Sequence, residues 1–137
     1  MPNPERVVVN VDGGSRGNPG PAAVAAVVTD PAGDELTERA ETIGEATNNV
    51  AEYRALLLGI ELAKELGADE VEFVGDSKLI VEQVKGNWKV KQEHLRPLHA
   101  QVSKALRDLP NWSIRHVRRD ENDRADQLLN DALDAAA

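Results

Sequence analysis

The chain has 137 residues, of which 41% are hydrophobic; it holds one Phe, one Tyr, two Trp and no Cys, and its formal net charge is −8. That describes one domain, residues 1–137, with an aliphatic core, and it excludes a disulfide scaffold, a thiolate zinc site and a cysteine nucleophile. The opening MPNPERVVVN carries no basic leader, and no run reaches the ~18 apolar residues of a membrane span, so a reducing cytoplasm is the expected setting.

Residues 6–12 are β-branched and bounded by glycines, which predicts a short buried strand ending on Asp12 and followed by an irregular Gly-Pro loop. Residues 22–30 predict a second strand, Asp30-Pro31-Ala32-Gly33-Asp34 a turn, and 35–43 an edge strand with one wet face. Thr47, Asn48 and Asn49 are N-cap candidates for a helix whose apolar positions Ala51, Ala55, Leu58, Leu62 and Leu66 share one face, with Gly67 as its stop. A fourth strand follows at 71–76, a short helix at 77–86, a basic irregular stretch at 87–92, and a helix at 92–108 before Pro110. The strand NWSIRHV (111–117) and a helix capped by Asp120 or Asn122 complete the chain. Strands 1, 4 and 5 alternate with helices and favour parallel pairing by right-handed crossovers, while strands 2 and 3 follow by hairpins. The expected fold class is α/β: a mixed five-stranded sheet, three antiparallel strands then two parallel, flanked by helices.

Charge is unevenly distributed. Residues 78–119 carry ten Lys or Arg and three acids, against six bases and twenty-one acids elsewhere. A basic segment in an acidic chain points to a local phosphate-facing patch.

Four acids fall at element ends. Asp12 and Asp76 close the first and fourth strands, Glu52 lies in the first turn of the first long helix, and Asp126 lies in the early turns of the last. Ligand sites in parallel sheets form beyond the carboxyl ends of adjacent strands, so the four can meet in one crevice. Clustered carboxylates need a neutralising partner. With no Cys and three His, that partner is a hard divalent cation on oxygen ligands, Mg²⁺ or Mn²⁺, and two such ions suit a phosphoryl displacement.

VDGGSRGNPGPAA, TNNVAEYRALLLGI, VGDSKLIVEQVKGNWKVK and HVRRDENDRADQLLNDAL resemble, in order, the four signature blocks of type 1 ribonuclease H. The resemblance spans essentially the whole chain. It implies the ribonuclease H-like fold and metal-dependent hydrolysis of the RNA strand of RNA–DNA hybrids, leaving 5′-phosphate and 3′-hydroxyl ends, with two Mg²⁺ or Mn²⁺ ions. RNA–RNA duplex stays open as a second substrate, and a monomer is expected. By the same resemblance Asp12, Glu52, Asp76 and Asp126 are the metal-binding catalytic acids, and His116, ten residues before Asp126, is the catalytic histidine. The family's glycine-rich lead around that histidine is absent. The backbone of Gly13 and Gly14, with Asn18, Asn48 and Asn49, falls where relatives contact the hybrid's minor groove, and Thr47 falls at a DNA-strand phosphate site. The basic protrusion of many bacterial relatives is missing, which leaves Lys85, Trp88 and Lys89, with Lys91, to hold the DNA strand.

Integrases, transposases and junction resolvases use the same sheet, and a binding module without activity could keep it. The Thr-Asn-Asn block ahead of Glu52 and the presence of all four acids favour the hydrolase. GGSRGNPG lacks the spacing of a P-loop and precedes a strand, not a helix.

Overall fold

A computed structural model describes residues 4–137; the first three residues of the stretch read as lacking a leader lie outside the described residues. The strands β1 (Arg6–Ser15), β2 (Gly20–Thr29), β3 (Glu35–Ala46), β4 (Glu70–Gly75) and β5 (Asn111–His116) form one sheet in the order β3-β2-β1-β4-β5. Pairing is antiparallel for β1–β2 and β2–β3 and parallel for β1–β4 and β4–β5. The helices are α1 (Asn48–Leu66), α2 (Lys78–Lys85), α3 (Arg96–Leu106) and α4 (Asp123–Ala136). The expected architecture is therefore present. The helix predicted over 92–108 is divided into a 3-10 turn, Glu93–Leu95, and α3, because Pro97 suits a first helical turn.

Local chemistry sets the helix ends. The Thr47 hydroxyl accepts from the Val50 N–H, and Gly67, at φ 66, donates to the carbonyls of Ala63 and Lys64. Ser77 caps α2 in the same way, accepting from Ile80 N–H, and Gly86 ends it. The main core lies between the sheet and α1–α3 and is built on Val7, Val9, Val11, Phe73, Leu56 and Ile60. α4 covers the opposite face through Leu129 and Leu133 against Ala23 and Ala25. No described helix is long and apolar enough to cross a membrane.

Strand β1 departs from the expectation. It does not stop at Asp12 but runs on through Gly13, Gly14 and Ser15, which pair with Val24, Ala23 and Ala22 of β2. On its other side, pairing with β4 ends at Val11 opposite Gly75. The sheet thus splits between β1 and β4 immediately before Asp12, and only residues 16–19 are irregular. Gly13, which suggested the start of a loop, serves close packing instead, and so does Gly59 within α1. A Cβ at Gly13 would collide with the Ala51 carbonyl of α1, and one at Gly59 would lie 2.7 Å from Val11 Cγ1 and 2.9 Å from Val9 Cγ1. Helix α1 therefore sits directly on β1. A Gly59→Ala substitution overpacks that contact and is expected to cost about 1–3 kcal/mol, read as a lower urea midpoint with an unchanged slope.

Candidate active site

The split in the sheet opens onto a cavity of about 430 Å³. Asp12 reaches it from β1, Asp76 from the turn after β4, Glu52 from α1 and Asp126 from α4. Carboxylate oxygens of Asp12, Glu52 and Asp76 all lie within 4.8 Å of one another. Asp126 lines the same cavity outside that set; its Oδ1 is buried without a hydrogen-bond partner among the described residues. Arg119 Nη2 stands 3.6 Å from that oxygen, too far for a hydrogen bond. Glu52 lies a full turn into α1, not in its first turn, and its Oε1 accepts from Gly13 N–H at 2.7 Å.

These positions strain the charges. Asp12 is 5% exposed. Its burial, and next the charge of Asp76, push its carboxyl up to about 7 from 3.8, with Asp126 adding to the rise and Glu52 opposing it. Burial, then the charges of Asp12 and Asp76, hold Glu52 well above the usual carboxylate range, against the Gly13 N–H that favours its ionised form. An oxygen-only donor set, an orphaned buried carboxylate oxygen and carboxyls forced toward protonation together fit a hard divalent cation.

The remaining expected residues divide. Gly13, Gly14, Asn48 and Asn49 line the cavity. Asn18 and Thr47 do not: the Asn18 side chain accepts from Asn48 N–H at 3.0 Å, and Thr47 caps α1. Asn48 in turn accepts from the Ser15 N–H at 2.9 Å, so these asparagines fasten the 16–19 loop to α1. His116 ends β5 opposite Gly75, exposed and outside the cavity lining. Trp88 and Lys89 line a second groove of about 600 Å³ with Lys91, and Lys85 is exposed at the end of α2. Trp88 is 45% exposed, with Lys78 Nζ 5.9 Å from its ring centre. That groove is braced from beneath: the Tyr53 hydroxyl donates to Gln83, Gln83 Nε2 donates to the Lys89 carbonyl at 3.3 Å, and His99 meets the Gln83 carbonyl at 3.1 Å. The Arg16 and Arg119 side chains line the acid cavity and were missed from sequence, where Arg119 was one base in a basic run.

A five-stranded mixed sheet that gathers carboxylates where β1 and β4 part is the ribonuclease H fold, and a family described as reverse transcriptase-like matches residues 10–132. A ribonuclease HI of Halobacterium salinarum is 46% identical over 131 residues, 96% of this chain and 66% of that protein. A bifunctional protein of Mycobacterium tuberculosis is 49% identical over 133 residues, 96% of this chain but 36% of its own length. The chain thus spans about a third of the mycobacterial relative. Among solved structures, the ribonuclease H1 of Halobacterium salinarum superposes with a TM-score of 0.92 at 45% identity, covering 95% of this chain and 98% of that one. LC11-RNase H1 in complex with an RNA/DNA hybrid gives 0.90 at 43%, with the same coverage. The chain belongs to the ribonuclease H family.

The raised carboxyl of Asp12 has a consequence for stability. It binds its proton more tightly folded, near 7, than unfolded, near 3.8. In metal-free protein its contribution is therefore fully present below about pH 4 and is lost as pH rises through 7. Asp12→Asn is expected to raise the unfolding free energy by at least about 1 kcal/mol at pH 8 and by much less at pH 4.5. Chemical denaturation in EDTA at the two pH values measures the difference.

Proposed function

We propose that the chain is a divalent-cation-dependent endoribonuclease that hydrolyses the RNA strand of RNA–DNA hybrids, giving 5′-phosphate and 3′-hydroxyl ends. The observation that carries this reading is the set of Asp12, Glu52 and Asp76 oxygens within 4.8 Å at the split of the sheet. The hybrid seen with LC11-RNase H1 supports the substrate class.

Asp12, Glu52, Asp76 and Asp126 would hold two Mg²⁺ or Mn²⁺ ions. Cations bound there would supply charge neutralisation, acidification of a water and stabilisation of the departing 3′-oxygen. The chain's own residues do the rest. The Asp12 and Glu52 carboxylates face a scissile phosphate placed in the cavity and orient the attacking water in line with the leaving oxygen. The Arg119 guanidinium, beside Asp126, offers donors to a non-bridging phosphate oxygen. The Asn48 and Asn49 side chains and the Gly13–Gly14 backbone line the floor, where a 2′-hydroxyl can both donate and accept. Trp88, Lys89 and Lys91 hold the DNA strand in the second groove, with Lys85 and Thr47 completing its phosphate contacts. His116, exposed at the end of β5, exchanges a proton with the departing product.

End-labelled RNA–DNA hybrid, RNA–RNA and DNA–DNA duplexes incubated with Mg²⁺, Mn²⁺ or EDTA provide the test. Cutting of the hybrid's RNA strand only with metal is the expected result; folded protein that cuts nothing under any of these conditions overturns the reading. Asp12→Asn and Asp76→Asn are each expected to lower kcat at least about 1,000-fold, because the set acts as a unit. Arg119→Ala is expected to lower kcat/KM by about 10- to 100-fold, and His116→Ala by less. A larger loss for His116→Ala than for Arg119→Ala would reverse those two roles.

A further inference from the structure

Asn122 is 1% exposed and precedes α4. Sequence alone suggests a helix cap, yet its side chain caps nothing. It crosses the split instead: Nδ2 donates to the Val11 carbonyl at 2.9 Å and to Asp76 Oδ2 at 3.0 Å. Both partners are pure acceptors at those atoms, so the amide can face them only with its NH₂ group. That turns Oδ1 toward β1, where it accepts from Asn10 Nδ2 at 3.0 Å. The Asn122 backbone carbonyl accepts from Asp126 N–H at 3.1 Å. One buried residue therefore touches the peptide before Asp12, the Asp76 carboxylate and the backbone of Asp126.

We propose that Asn122 is a positioning residue that sets the mutual placement of Asp12, Asp76 and Asp126, and with it the affinity for divalent cation, while Asn10 secures the amide that does so. This extends the reading of the carboxylates as a cation site and depends on it. The amide acts in two ways. Its N–H fixes the direction in which Asp76 presents its other oxygen, and its bond to the Val11 carbonyl fixes the strand at the residue before Asp12. Partners that orient ligating carboxylates are worth about 10- to 100-fold in metal affinity. Asn10 does not line the acid cavity, and its side-chain amide donates to Asn122 Oδ1, so loss of that donor is felt first by the Asn122 amide.

Mn²⁺ binding to the free protein, followed by water proton relaxation, is the primary readout, with kcat and KM for hybrid measured across a Mn²⁺ titration. Asn122→Ala is expected to weaken Mn²⁺ about 10- to 100-fold. Asn10→Leu, which keeps the bulk and removes the donor, is expected to weaken it about 3-fold or more. At saturating Mn²⁺ the hybrid KM of both variants should stay within about twofold of the parent, and kcat of Asn10→Leu should recover. A residue that only supported the fold would change the melting temperature and leave Mn²⁺ affinity of the folded protein alone. If Asn122→Ala does not fold, Asn10→Leu decides by itself. Parent and folded variants binding Mn²⁺ equally would overturn the proposal and leave the cation site standing; a parent that binds no Mn²⁺ would remove both.

Discussion

Two carboxylates about 5 Å apart repel by roughly 3 kcal/mol at an effective dielectric of about 20, and three of them share such a space here within 4.8 Å. Holding them there is the constraint from which much of the remaining structure follows. The sheet must part where the acids are needed, so β4 ends at Gly75 while β1 continues past Asp12 along β2. Each acid is borne on a different element, so none can retreat without moving a helix or a strand.

The groups around the acids are arranged to resist their repulsion. Glycine at position 13 lets α1 press its backbone onto β1, which places the Gly13 N–H on Glu52. Asn122 gives one hydrogen to Asp76 and the other to the strand before Asp12. These donors are neutral, so they lessen the repulsion without removing it, and the carboxyls of Asp12 and Glu52 stay displaced upward. A neutral-donor frame around uncompensated acids leaves room for the charge of a cation, whereas pairing by Lys or Arg would have filled that role from within the chain. Arg119 stops 3.6 Å from Asp126, at the edge of this arrangement and not within it.

The strands, their antiparallel or parallel sense and most element limits were legible because they rest on local patterns and connection types: β-branched runs for β1, β2 and β4, capping Thr47 and stopping Gly67 for α1, and the edge character of 35–43. That four acids share one cavity was legible because Asp76 follows a strand end and Asp126 opens a helix, and because the blocks flanking all four resemble a known family, although Asp12 lies within β1 and Glu52 a turn inside α1. The continuation of β1 through Gly13–Ser15 was not, since glycines signal a break locally and only the contact with Ala51 shows that they permit a helix to approach. Asn122 read as a cap for the same reason: its position before α4 is visible in sequence, while its partners at Asn10, Val11 and Asp76 are distant in the chain. Asn18 and Thr47 were assigned to substrate by resemblance alone; the further structural work of each, Asn18 accepting from Asn48 N–H and Thr47 capping α1, shows only in the fold.

On the proposed function a chain of net charge −8 would still have to receive a polyanion, and the way its charge is placed allows this. The acids of the cavity are the first groups a phosphate would be repelled by, but they are recessed, and Asp12 is almost wholly buried. The bases are displayed: Lys78, Lys89 and Lys91 are exposed around Trp88, Lys85 is exposed at the end of α2, and Arg16 and Arg119 stand at the cavity. At physiological ionic strength charges beyond about 8 Å are largely screened. The overall acidity is therefore felt weakly by a bound duplex, whereas the bases within contact distance are felt fully. Affinity then depends on a handful of local contacts and not on net charge, and the acid excess elsewhere on the surface can serve solubility without opposing substrate.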